Sequence, residues 1–336
     1  MQRHELADSS GELALGNTHK DAVTGGCGSL IGESGAMHRL YRLIRDCADS
    51  EASVFLVGES GSGKELVART IHELSARSGG DFVPLYCSAL SPDLLEIELF
   101  SYSDRAPRGA TRDHRGYLQR AAGGTLFLDE ITELNAGLQA RLLQVLESDK
   151  IRARGSGKSF AIDARIITAT KLEPDDAVRR GRLREDLYRR LAQFPIHVPS
   201  LRERADDIEV LAEHFLRERN LETGSEKQFD EAVHDALRSY GWPGNVRELK
   251  DAIRHSHMLS GGSIKLEDLP GNVSSAGFGN DHFIRVNVGT PLAEVERRAI
   301  LSTLEHYGGD KKKAANTLRI SLKTLYNRLK HYSYRQ

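Results

Sequence analysis

The chain has 336 residues, enough for two or three cores, and its 47 Lys and Arg against 48 Asp and Glu leave it almost neutral, so any nucleic-acid surface must be local. No N-terminal apolar run has signal-peptide form and no stretch approaches the ~20 apolar residues of a membrane span, so a cytoplasmic protein without membrane contact is expected. Cys27, Cys47 and Cys87 lack metal-ligand spacing and fit a reducing compartment, and the 13 His form no paired ligand motif.

Met1–Ser29 is rich in Gly, Ser, Asp and Thr without periodicity and reads as a flexible tail, residues 1–29, too short to fold as a sensor. Leu30–Ala48 carries apolar residues at Met37, Leu40, Tyr41, Leu43 and Ile44, a helical pattern. The run from Ser53 then supplies one buried strand ending at Gly58, a Gly-rich loop, and a helix over Glu65–Leu74 with Leu66, Val67 and Ile71 on one side. Gly58-x4-Gly63-Lys64 between strand and helix is a P-loop. Its residues Gly58, Glu59, Ser60, Gly61, Ser62, Gly63, Lys64 and Glu65 would wrap a polyphosphate, with backbone N–H groups and a helix N-terminus facing the charge. Lys64 would reach the β- and γ-phosphates, while Glu65 stands where a Ser or Thr usually ligates Mg2+.

Further apolar runs at Phe82–Leu85, Thr125–Leu128 and Ala164–Thr168 alternate with helical patterns, notably Leu134–Glu147. The expected fold is α/β, a mostly parallel sheet over residues 30–200. Asp129 and Glu130 end a buried strand on the side where such sheets bind ligands. Asp129 can hold Mg2+ and Glu130 can polarise a water, as phosphoanhydride hydrolysis requires. Amphipathic runs at Asp207–Arg217, Asp230–Ser239 and Asn245–Leu259 predict a helical lid over 201–268, and the Gly-, Ser- and Asn-rich segment 269–290 a linker.

The last segment, 291–336, reads as a small all-α domain. Val295, Ala299, Ile300 and Leu304 define a helix over Ala293–Tyr307 that Gly308-Gly309 ends. Asp310 can cap a second helix, Lys311–Leu318, which buries Ala314, Ala315 and Leu318. After an Arg319-Ile320 turn, Ser321 caps a third, with Leu322, Leu325 and Leu329 on its inner face. A tight turn followed by a polar, basic helix is a helix-turn-helix for double-stranded DNA. Ten Lys and Arg against four Asp and Glu in this segment give the local positive charge that DNA binding needs. Lys311, Lys312 and Lys313 are expected on phosphates, Thr324, Asn327 and Arg328 on base edges, Lys323 on the same polar face, and Tyr326 packed within the domain.

Five runs carry a family resemblance: Gly58–Arg69, Gly123–Ile131, Arg184-Glu-Asp-Leu-Tyr188, Pro199-Ser-Leu-Arg-Glu-Arg204 and Trp242-Pro-Gly-Asn-Val-Arg-Glu-Leu249. Across Leu30–Pro270 the chain resembles the AAA+ domain of the sigma-54-dependent transcription activators, and residues 291–336 resemble their Fis-type helix-turn-helix. The resemblance implies a P-loop Glu at position 65, trans-acting arginine fingers at Arg184 and Arg190, and a second sensor at Arg247. It also implies an adenine contact at Ile31 and Gly32, RNA polymerase as partner, a C-terminal dimer and a hexameric ring. An arginine finger contributes about 10³–10⁵ in rate.

Three positions depart from that family. Its sigma-54 contact sequence, Gly-Ala-Phe-Thr-Gly-Ala, is replaced by Arg105-Ala-Pro-Arg-Gly-Ala110, so Pro107 stands for the aromatic and Arg108 for the Thr. Tyr86 and Lys171 occupy two Asn positions; a phenol can still donate to Glu130, and the Lys171 ammonium can pair with Glu130 or a phosphate. Two readings follow. One is an ATP-hydrolysing activator, and the other a regulator independent of sigma-54 that uses bound nucleotide or another small anion to set oligomerisation and DNA binding. Neither reading includes a receiver domain.

Overall fold

A computed structural model of the chain describes residues 27–100, 116–148, 150–152, 159–161, 163–274 and 289–333. The first part runs α1 (Gly35–Ala48), β1 (Val54–Val57), α2 (Lys64–Leu74), β2 (Phe82–Tyr86), α3 (Pro92–Phe100), α4 (Tyr117–Arg120) and β3 (Thr125–Asp129). It continues with α5 (Ala136–Ser148), the hairpin β4 (Lys150–Arg152) and β5 (Ser159–Ala161), β6 (Arg165–Thr170), α6 (Pro174–Arg179), α7 (Glu185–Leu191) and β7 (Phe194–His197). β2, β3, β6, β1 and β7 form one parallel sheet in that order. Every residue of β1 and β6 is buried; β1 is the continuous apolar run expected of a two-sided parallel sheet, whereas β6 also buries Arg165, whose guanidinium donates to the Cys47 and Ala52 carbonyls. Separate apolar layers cover the two faces, one built on α3, α5 and α7, the other on α1 and α2.

The edge strand β7 has no counterpart in the sequence reading. Its four residues hold Pro195, which cannot donate to a ladder and is tolerated because β7 pairs only with β1. Cys27 is buried and its carbonyl accepts from the Leu30 amide, so residues 27–29, expected in the tail 1–29, are packed against the sheet domain; residues 1–26 of that expected tail lie outside the described residues.

A second core collects α8 (Asp207–Thr223), α9 (Glu231–Ser239), α10 (Asn245–Leu259) and α11 (Gly271–Ser274). Leu269 and Val273 are buried in it, so the lid runs past the expected boundary at 268. Asp207 joins lid to sheet domain. Fully buried, it accepts from the Glu33 amide (2.6 Å), the Ser34 amide (2.8 Å) and the Ser34 hydroxyl (2.7 Å).

The C-terminal unit has α12 (Leu292–His306), α13 (Lys311–Thr317) and α14 (Leu322–Ser333) around Ile300, Ala314, Ala315 and Leu325. Asp310 caps α13 by accepting from the Lys312 and Lys313 amides, and Ser321 accepts from the Thr324 amide at the start of α14. Arg319 takes a left-handed φ of 53° to make the turn between them. Leu322, expected on the inner face, is instead exposed at the helix start. Among the described residues no helix is long and apolar enough to cross a membrane.

Replacing Asp207 by Ala strands two buried donors on Ser34 and the part-buried Glu33 amide. It should cost about 2–4 kcal/mol of lid and sheet-domain stability in urea unfolding, whereas Asp206→Ala, next to it, should cost under about 0.5 kcal/mol.

Candidate nucleotide site and DNA-facing helix

Because β3, β6 and β1 are neighbours, their C-terminal ends meet, and with them Asp129-Glu130, Thr170-Lys171 and the loop after Val57. The Gly58 amide donates to the Thr170 carbonyl (3.1 Å), fixing the start of the loop against β6. A cleft of about 620 Å³ opens there, lined by Ser60, Gly61, Gly63, Lys64, Glu65, Asp129, Glu130 and Lys171. The lid adds Val246, Arg247 and Lys250. Gly61 and Gly63 take φ of 77° and 103°, and a Cβ on Gly61 would lie 2.2 Å from the Gly244 carbonyl oxygen. Only glycine permits that approach.

Lys64 is buried, and its Nζ donates to the carbonyls of Gly58 (2.9 Å) and Glu59 (3.1 Å), with Glu130 Oε1 at 3.7 Å. Burial lowers its pKa, opposed by Glu130 and Asp129. Burial also raises the Asp129 pKa, with Lys64 opposing, and Asp129 Oδ1 is buried without a hydrogen-bond partner. A desolvated, unpartnered carboxylate oxygen on a cleft that also holds an ammonium fits a divalent cation bound together with phosphates. Among the described residues no cluster of three His, Cys, Asp or Glu offers a cation site on its own, so such an ion would have to share ligands with the nucleotide.

The two substituted positions behave differently from expectation. The Tyr86 hydroxyl donates to Glu65 Oε2 (2.9 Å), and Glu65 lies 3.6 Å from Arg69, so the phenol serves Glu65 and not Glu130. Glu130 is held instead by the Lys171 backbone amide (3.2 Å to Oε2). The Lys171 ammonium turns to Glu133 instead, at 4.0 Å. Backbone geometry at the end of β6 therefore supplies the donor to Glu130, a role that side-chain identity could not reveal.

Other expected residues are dispersed. Arg184 forms a two-point pair with Asp186 on the exposed start of α7, and Arg190 donates to the Leu146 carbonyl (3.0 Å) away from the cleft. Ile31 packs on the lid core and the Gly32 carbonyl accepts from the Tyr41 hydroxyl (3.0 Å); neither lines the cleft. The Glu59 side chain is engaged by Arg202 and by Asn245 Nδ2 (3.1 Å), and hydrogen bonding from Arg202 takes its pKa down to about 2. Arg247 reaches the loop, donating to the Ser60 hydroxyl (3.2 Å). The segment Arg105–Ala110 lies outside the described residues.

On the C-terminal unit, Lys311, Lys312, Lys313, Lys323 and Asn327 are exposed. Arg328 is half exposed, and its Nε donates to Glu296 Oε1 on α12 (3.1 Å). The Thr324 hydroxyl is paired with that of Ser321 (2.7 Å). Tyr326 is half exposed, not packed, and the Lys311 ammonium sits 4.8 Å from its ring centroid.

A carboxylate whose pKa is raised on folding penalises the fold wherever it is ionised in the unfolded chain, hence at neutral pH. Asp129→Asn should therefore raise the Tm of the nucleotide-free protein by about 2–4 °C, while removing the added stabilisation from ATP with Mg2+. Calorimetry with and without nucleotide checks both arms.

Three family profiles match in tandem: the sigma-54 interaction domain over residues 30–197, the AAA+ ATPase lid domain over 202–282, and the bacterial regulatory protein Fis family over 291–332. The chain is 42% identical over 329 residues to the transcriptional regulatory protein ZraR of Escherichia coli K12, covering 95% of this chain and 73% of ZraR. It is 37% identical to the transcriptional regulator VasH of Vibrio cholerae, covering 97% of this chain and 67% of VasH. The crystal structure of NtrX from Brucella abortus in complex with ATP superposes with a TM-score of 0.68 at 28% identity, over 90% of this chain and 69% of NtrX. The chain belongs to the family of bacterial transcription regulators that join a sigma-54 interaction domain of AAA+ type to a Fis-type DNA-binding helix-turn-helix.

Proposed function

We propose that this regulator binds ATP with Mg2+ in the cleft and hydrolyses it between subunits of a ring, while its C-terminal units dimerise on double-stranded DNA. The observation that carries the reading is the Asp129–Lys64–Glu130 group: an orphaned carboxylate oxygen, a desolvated ammonium and a tethered second carboxylate at the mouth of a P-loop. Lys64 would leave the Gly58 and Glu59 carbonyls for the β- and γ-phosphates. Asp129 would hold Mg2+, which when bound neutralises developing phosphate charge. Glu130 would accept the proton of the attacking water, oriented by the Lys171 amide. Arg247 would approach from the lid, and Arg184 and Arg190 would act on a neighbour's nucleotide once released from Asp186 and Leu146. Ile31 and Gly32 would border the adenine. The regulator would act in the cytoplasm on RNA polymerase.

A second reading, in which nucleotide only sets the assembly, is favoured by Pro107 and Arg108 in place of the family's Phe and Thr. Steady-state ATP hydrolysis with and without DNA separates the two. Turnover that falls about 100-fold or more in Glu130→Gln, with ATP binding retained, establishes the motor. Binding without turnover in the unaltered protein establishes the second reading.

For the DNA contact, Lys323→Ala should weaken binding to specific and non-specific duplexes alike and reduce the salt slope by about 1. Arg328→Ala should leave the slope nearly unchanged, because Glu296 already neutralises that guanidinium.

A further inference from the structure

In a trans peptide, the carbonyl of one residue and the amide N–H of the next point in opposite directions. A loop that must aim N–H groups at phosphate therefore has to send its carbonyls outward, where they need donors. Two of those donors come from the lid side. Asn245 Nδ2 donates to the Ser60 carbonyl (3.1 Å), and Arg204 Nη2 donates to the Ser62 carbonyl (3.1 Å). The peptides after these carbonyls carry the N–H groups of Gly61 and Gly63, both glycines on the cleft.

The two donors are themselves fixed. Asn245 is fully buried at the start of α10 and takes a left-handed φ of 55°. Its Oδ1 accepts from the Leu201 amide (2.7 Å) while its Nδ2 also reaches Glu59 Oε2 (3.1 Å). One amide thus ties together the phosphate loop, the 3-10 turn Leu201–Arg204 and the lid helix. Arg204 is buried too, with Nη1 on Met37 Sδ at 2.9 Å.

We infer that Asn245 and Arg204 are positioning residues for nucleotide: from outside the loop they hold the Ser60 and Ser62 carbonyls so that the Gly61 and Gly63 amides face the phosphates. The inference rests on the cleft being the ATP site and deepens that reading. It makes phosphate affinity a property of the closed lid, since the sheet domain alone supplies neither donor.

The test uses the full chain and a fluorescent ATP analogue, with binding to a duplex and thermal unfolding measured on the same samples. Asn245→Asp keeps the acceptor for Leu201 but presents no amide donor to Ser60, and it also sets a second carboxylate against Glu59, so the uncharged Asn245→Gly is needed beside it. Asn245→Gly suits the left-handed backbone but has no side chain. Both should raise the ATP Kd about tenfold or more while DNA affinity stays within about twofold. The Tm should fall in both, by up to about 10 °C, as buried hydrogen bonds are lost, with the protein still folded at the assay temperature. Asn245→Asp, folded and binding ATP within about threefold of the unaltered protein, overturns the inference. If Asn245→Asp does not fold, Asn245→Gly decides by the same threshold. No ATP binding by the unaltered protein instead overturns the assignment of the cleft, a result distinct from either variant outcome.

Discussion

Lys64, buried between two carboxylates at the end of a parallel sheet, is the constraint from which the rest follows. An ammonium there is tolerable only because Asp129 and Glu130 lie close and because the Gly58 and Glu59 carbonyls accept its protons. That arrangement demands the strand order β3-β6-β1, since no other order sets the P-loop and the acidic pair one strand apart with Thr170 between them. It also explains why the cleft is unfinished. Asp129 retains an oxygen with no partner, and burial disfavours its charge, so the site is more costly without ligand than a packed alternative would be.

The lid completes this site through polar groups. Asp207 grips the segment before α1, Arg202 and Asn245 take Glu59, and Arg247 takes Ser60. Glu59 therefore contributes a bracket to the lid by its side chain, and its contact with nucleotide, if made, comes from its backbone. With its pKa down at about 2, the Glu59 carboxylate stays charged in mild acid, so this bracket does not loosen there.

Much of the architecture was legible because the signals are local. The P-loop, the acidic strand end, the Asp310 cap and the Ser321 cap each occupy a few consecutive residues whose physics is self-contained. What escaped depends on distance. β7 is four residues with a proline and exists only because β1 offers a free edge. The partners of Tyr86 and Lys171 follow from the direction of the ends of β2 and β6, which substitution patterns do not encode. Tyr86 reaches across to α2 and meets Glu65, while Lys171 offers its backbone and sends its side chain to Glu133. Asn245 reads in sequence as one letter of a motif; its importance lies in two distant segments that meet on its side chain, Leu201 44 positions away and Glu59-Ser60 186 and 185 positions away.

The Arg328–Glu296 pair would bear on how a helix-turn-helix of this build searches a genome, if Arg328 reaches DNA as expected from the sequence. A guanidinium held by an internal carboxylate is released to DNA only where the duplex offers more than the carboxylate does. Random phosphates, screened by counterions, seldom meet that condition, whereas a guanine edge that accepts two parallel hydrogen bonds does. The internal acid acts as a threshold. A site that engages the guanidinium would have to offset the lost pair, whereas a site that does not would leave the pair intact and gain nothing from it, so the difference between the two would rest on the base edge and not on the phosphates.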